Sequence, residues 1–257
     1  MTINHISRLI LAIVGVVAIA WVIAVFPVFW SEKVIDDVAG EVIAGAVFKP
    51  EILAAVEAQT ETNSGPMRRS SVLGKAAMIR LRQAEDAIRA GNLEIRDQKF
   101  ESLDRIVDKT FLNAPSDSFL WLVRFWLDST RNGIRPDNLR FLRMSYDLGP
   151  YEGWIAVKRN RIALAAYSAL PSDLTEQAIS EFVGLVRWGF VTDAGAIAAG
   201  PGRSLRDVLF SRLKDLNYEQ RRAFANVIYG RELDDVPVPG IAPPTPQIPM
   251  PVLPPGF

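Results

Sequence analysis

Phe119-Leu120-Trp121-Leu122-Val123-Arg124-Phe125-Trp126-Leu127, wound as an α-helix, leaves hardly any polar face, and this run decides the fold class. A helix that is apolar on nearly every side has to be buried on nearly every side, so the segment is expected at the centre of a helical domain. Arg124 and Asp128 interrupt it and it is far too short for a bilayer, which argues against a second membrane span. The segments on either side carry apolar residues at helical spacing, and none shows the period-two alternation of strands. The chain reads as all-α.

Start and stop signals place helices near 72–90, 93–112, 118–131, 137–148, 151–168, 173–188, 193–199, 204–214 and 218–229. Ser204 with Asp207 and Asn217 with Gln220 have the spacing of capping boxes, in which each side chain satisfies a backbone N–H. Gly91, Gly149, Gly189 and Gly230 stand where a left-handed turn ends a helix, and Pro150 blocks continuation beyond Gly149. Connections this short predict antiparallel helical hairpins.

Part of this pattern is periodic. Ala84, Ala87 and Gly91 lead to Leu112-Asn113-Ala114-Pro115; Ser118-Phe119-Leu120-Trp121 leads to Tyr146-Asp147-Leu148-Gly149-Pro150, and Trp154 opens a further pair. Pro115 to Pro150 is 35 residues and Trp121 to Trp154 is 33, near the period of about 34 of the tetratricopeptide repeat. The stretch from about 84 to 168 therefore resembles that family, with Phe125 where the family has glycine. The resemblance implies stacked helical hairpins and protein–protein binding.

Toward the N-terminus, Leu9 to Trp30 is a stretch of 22 residues without a charge, about 33 Å long as a helix, enough to span a bilayer core. It is longer than a signal-peptide core and ends in Phe26-Pro27-Val28-Phe29-Trp30 instead of small residues, so a retained anchor over 9–30 is expected. Arg8 precedes it, while Glu32, Lys33, Asp36, Asp37 and Glu41 follow, which leans residues 1–8 toward the cytoplasm and the main domain outside it, periplasmic in a bacterium. Ala20 and Ala24 form a small-xxx-small pair suited to helix pairing. Residues 31–71 read as a helical neck and linker, with turn formers from Thr60 to Ser71, and 72–232 as one helical domain. Beyond it lies a proline-rich tail, 233–257, in which nine of the 22 residues from Val236 to Phe257 are proline. Such composition forms no core and favours an extended, disordered tail with overlapping Pro-x-x-Pro units.

The 29 basic and 29 acidic residues cancel, which argues against nucleic acid as partner. There is no cysteine, and the lone His5 precedes the apolar segment, removing thiol chemistry, Cys or His metal sites and a Ser-His-Asp triad from the folded part. No cofactor or metal is expected. The one local excess of positive charge spans Arg131, Arg135, Arg140, Arg143, Lys158, Arg159 and Arg161, with Tyr146, Trp154 and Tyr151 interleaved. Arginine forks match carboxylates and phosphates, and aromatics stack on sugars, so Arg131, Arg135, Arg140, Arg143, Tyr146, Trp154, Lys158, Arg159 and Arg161 form a candidate binding patch. Glu152, with Asp147 across the Gly149-Pro150 turn, is the nearest thing to a carboxylate pair for glycan cleavage. Gly200-Pro201-Gly202 has no preceding strand and no Lys-Ser/Thr ending, and reads as a plain loop. These features point to a non-enzymatic, membrane-anchored adaptor that binds envelope or inner-membrane proteins, with a role in envelope polysaccharide assembly or export as its extension. A binding module for an anionic polysaccharide or lipid headgroup is the alternative, and a carboxylate-based glycan-active enzyme the next.

Overall fold

The computed structural model describes residues 8, 10, 12–22, 58, 70–233 and 235–243, and among these there are helices and turns but no strand. The helices after residue 70 are α1 (Ser70–Ala90), α2 (Leu93–Phe111), α3 (Ser118–Asn132), α4 (Pro136–Leu148), α5 (Gly153–Ala165), α6 (Ser172–Arg187), α7 (Val191–Ala199), α8 (Arg206–Ser211) and α9 (Tyr218–Tyr229). Short 3-10 turns occupy Tyr167–Ala169, Arg203–Leu205 and Arg212–Asp215. The chain divides into two compact units, Met1–Arg131 and Asn132–Phe257, where one domain over 72–232 was expected. The division falls at the end of α3, inside the Ser118–Pro150 stretch that the repeat spacing treats as one hairpin.

In the first unit α1 and α2 form a hairpin. Gly91 closes α1 at φ +71, a conformation that costs glycine little, and the Asn92 side chain accepts from Ile95 N at 3.1 Å to cap α2. Ala76, Ala77, Ala84 and Ala87 are buried, and their small side chains let the two helices approach. Arg80 Nε donates to Ser102 Oγ at 3.0 Å, and the two residues are equidistant from Gly91, as an antiparallel hairpin turning there requires. Asp117 starts α3 by accepting from Phe119 N at 2.9 Å; burial raises its carboxyl pKa against the pull of the Phe119 and Leu120 amides. Phe119, Leu120, Leu122, Val123, Phe125 and Leu127 are buried as expected, but Trp121, Arg124, Trp126 and Asp128 are half-exposed. Two of them meet α2: Phe100 and Trp126 pack edge to face at 5.5 Å, and Arg124 bonds Asp104 at 2.5 Å and Asp108 at 3.0 Å. The centre of this unit is shared with α1, whose Ala76–Leu81 turn is enclosed all round.

In the second unit α6 is the hub, packing on α5, α7, α8 and α9. Leu174, Ala178, Phe182 and Leu185 supply its core stripe, and Phe182 and Phe210 each set an edge against Phe224 at 5.8 and 5.3 Å. Gly195 on α7 permits close contact with α9, since a Cβ there would stand 2.6 Å from Val227 Cγ1. Gly195→Ala is expected to cost about 1–3 kcal/mol by overpacking, read as a lower urea midpoint with faster amide exchange in α7 and α9.

The Asn217–Gln220 capping box is present: Gln220 N donates to Asn217 Oδ1 at 2.9 Å and Asn217 N to Gln220 Oε1 at 3.2 Å. Asn217→Ala should cost about 1 kcal/mol, visible in the same denaturation curves. The Ser204–Asp207 box does not form. Gly202 N closes onto Ile197 O at 2.8 Å, residues 203–205 wind as a 3-10 turn, and α8 begins after Leu205 with no side-chain cap. Gly189 takes the expected left-handed form at φ +88, whereas Gly149 and Gly230 stop their helices at φ −140 and −66. The Gly149 carbonyl is turned instead toward Arg159.

Packing continues past residue 232 into the segment expected to be unstructured. Residues 235–243 form a strap along α9: Val238 is buried, Arg221 Nη1 donates to Pro239 O at 2.5 Å, and Tyr229 OH donates to Ile241 O at 3.2 Å. Buried Arg206 of α8 pairs with Asp235. Residues 244–257 lie outside the described part.

Residues 12–22 are helical, and Ile13, Val14, Val16, Val17, Ile19, Trp21 and Val22 are between 54% and 67% exposed, so the helix is apolar and open on every side. Among the described residues no helix is long and apolar enough to cross a membrane. Apart from Ile10, the rest of the 9–30 segment, with Ala24 of the small-residue pair, lies outside the described residues, as do His5, the neck over 31–57 and most of the linker.

Candidate functional site

The structure does not assemble the nine-residue patch as a surface. Arg131 belongs to the first unit, where it bonds Asp104 at 2.6 Å and stands 5.6 Å from the Phe100 ring centre. The other eight belong to the second. Arg140 and Arg143, expected to share an anion-binding face, are engaged separately: Arg140 lies 4.9 Å from the Phe141 ring centre, and Arg143 forks Asp173 at 2.8 and 3.1 Å. That fork holds the Asp173 carboxyl below its usual pKa. Arg135 and Arg161 are exposed, and Trp154 and Lys158 half-buried. Glu152 and Asp147 are both on the surface, Glu152 at the N-cap of α5, where a carboxylate is stabilised by the helix dipole. Among the described residues no three or more acidic, His or Cys side chains gather as metal ligands.

Arg159 and Tyr146 are inside the protein. Arg159, on the buried stripe of α5, is 0% exposed, and its Nε and Nη2 donate to Glu181 Oε1 of α6 at 2.8 and 2.5 Å. Its Nη1 reaches Ser145 O at 2.5 Å and Ser145 Oγ at 3.2 Å, and Nη2 reaches Gly149 O at 3.0 Å, which ties α5 to the end of α4. The guanidinium lies 4.3 Å from the Tyr146 ring centre, within the range of a cation–π contact. Beside it, Asn160 Nδ2 donates to Ala178 O at 2.7 Å. Among the described residues, Tyr146 OH, Asn160 Oδ1 and Glu181 Oε2 are buried without a well-formed hydrogen bond, although Tyr146 and Asn160 stand close enough to Glu181 to act on its carboxylate.

Electrostatically this site is out of the ordinary. Burial lifts the Glu181 carboxyl to about 7, with Arg159 first among the groups that oppose the rise and Tyr146 and Asn160 after it. Burial and the nearby Glu181 carboxylate push the Tyr146 phenol well above its normal range. Apart from Glu181, Arg159 keeps the Ser145 and Gly149 carbonyls as acceptors and the Tyr146 ring as a face, so the guanidinium is not left without partners when Glu181 is neutral. The arrangement can hold or release one proton near neutrality, and it joins α4, α5 and α6.

Clefts open on the surface of each unit. One of about 330 Å³ in the first unit lies between α2 and α3, lined by Arg96, Asp97, Phe100, Glu101, Thr130 and Arg131. The other, about 580 Å³, runs along α9 beside the strap. Tyr218, Arg222, Asn226 and Tyr229 follow one another at helical spacing along it, and Gly240 to Ala242 form its opposite wall.

Helical hairpins, one of them tied by the buried Arg159–Glu181 pair, with shallow clefts on the surface, define the described part as all-helical. Comparison of the chain with protein-family models, with curated proteins and with solved structures returns no match.

Proposed function

We propose that this chain is a membrane-anchored adaptor of the cell envelope, held to the bilayer through residues 9–30 and binding other envelope proteins through helical hairpins of tetratricopeptide-like character. The observation that carries the reading is the helix over 12–22, with large apolar side chains exposed around its whole circumference. Such a surface has no place in water and is what a lipid-embedded helix presents. The adaptor part is supported by the way the buried charge is used: Arg80, Arg159 and Arg206 each tie one element to another. Service to envelope polysaccharide assembly or export is the extension of this reading, with the helical domain on the extracytoplasmic side.

Purification of the full chain from its own membranes in mild detergent, beside a version lacking residues 244–257, tests the adaptor. Stoichiometric envelope proteins that depend on those residues are expected. Recovery of the chain alone would sink the adaptor and favour binding of an anionic glycan or lipid headgroup.

A further inference from the structure

We propose that the groove along α9 receives an extended proline-rich segment, residues 244–257 of a second copy of this chain. The α9 surface already holds such a segment in its own fold. The strap carries Val236-Pro237-Val238-Pro239, and its carbonyls are taken by an arginine and a tyrosine: Arg221 Nη1 on Pro239 O and Tyr229 OH on Ile241 O. Backbone carbonyls of a proline-rich strand have few N–H partners of their own, so fixed donors and flat aromatic faces are what recognises them. The groove offers that chemistry a second time. Tyr218 is 53% exposed, Arg222 and Asn226 are exposed beside it, and Tyr229 is shared with the strap.

The occupant follows from sequence and exit direction. Residues 244–257 hold prolines at 244, 246, 249, 251, 254 and 255 and no charge, and they begin one residue beyond Pro243, next to the groove wall at Ala242. Ala242 precedes Pro243 and Pro244, and two successive prolines disfavour a tight reversal at the point where the sequence passes the groove wall, which weighs against the segment lying back in its own groove. A second copy offers the same groove without that reversal. The assignment stands on α9 and the strap alone and does not depend on the adaptor reading.

The cysteine-free chain allows a direct test. Full-length Asn226→Cys and Met250→Cys proteins are prepared separately in detergent micelles, mixed, and oxidised. A disulfide-linked dimer containing one of each is expected in the mixture and not in either protein alone. In a Tyr218→Ala/Arg222→Ala background its yield should drop by at least about tenfold, as loss of tyrosine and arginine anchors commonly costs. Glu219→Ala, an exposed change off the stripe, should leave it intact and guards against a folding artefact. No mixed dimer, or a mixed dimer that survives the double substitution, overturns the proposal. So does a double-cysteine chain that closes within one copy, since the groove would then hold its own segment.

Discussion

Arg159→Ala is expected to destabilise the second unit by about 3–5 kcal/mol, the range for breaking one side of a buried ion pair. The loss has three parts: the Glu181 carboxylate loses its cation, the Ser145 and Gly149 carbonyls each lose a donor, and a large enclosed side chain leaves a void. Urea denaturation of the full chain in detergent should show the shift, and hydrogen exchange should place it in α4, α5 and α6 and spare α1 and α2. Arg159→Met with Glu181→Leu should recover most of the stability, because the desolvation of both charges disappears together with their attraction. A double variant as weak as the single one would mean that the pair is not what holds these helices.

Glu181 gives the second large effect, and its sign is opposite to that of an ordinary salt-bridged carboxylate. Its native pKa of about 7 lies above the ordinary 4.5, so the folded protein binds this proton more tightly than the unfolded chain does. The stability it contributes is therefore fully present below pH 4.5 and is lost as pH rises through about 7. At 1.36 kcal/mol per pH unit the loss is about 3 kcal/mol. Measured from pH 5 to pH 8, the parent protein should weaken relative to Glu181→Gln, which has no proton to lose. Arg159→Ala should cost more at pH 8 than at pH 5, since neutral Glu181 needs no cation. A parent protein that gains stability over the variant as pH rises would show that Arg159 outweighs burial at this carboxylate.

This cluster was legible in the sequence in a way that charge counting hides. Ile155, Ala156, Arg159, Asn160, Ala163 and Leu164 share one helical stripe, and so do Leu174, Ala178, Glu181, Phe182 and Leu185. An arginine and a glutamate centred on two apolar stripes of one hairpin are placed to pair inside it. Counting Arg159 with its neighbours as local positive charge put it on a surface, although periodicity puts it in the core. Helix positions were readable from caps and glycines because those signals are local. The division after Arg131 was not, because it depends on which helices pack together. The strap was missed for a related reason: proline content argues for extended chain, and only the tertiary partners Arg221 and Tyr229 make that extended chain part of the fold.

The proposed adaptor function rests on the chain being held in a bilayer by its N-terminal helix. Alkaline carbonate extraction of membranes carrying the full chain tests that claim most directly. The protein should stay with the membrane pellet and be released only by detergent. Release into the carbonate supernatant would contradict the anchor and, with it, the proposed place of the helical units at the membrane surface.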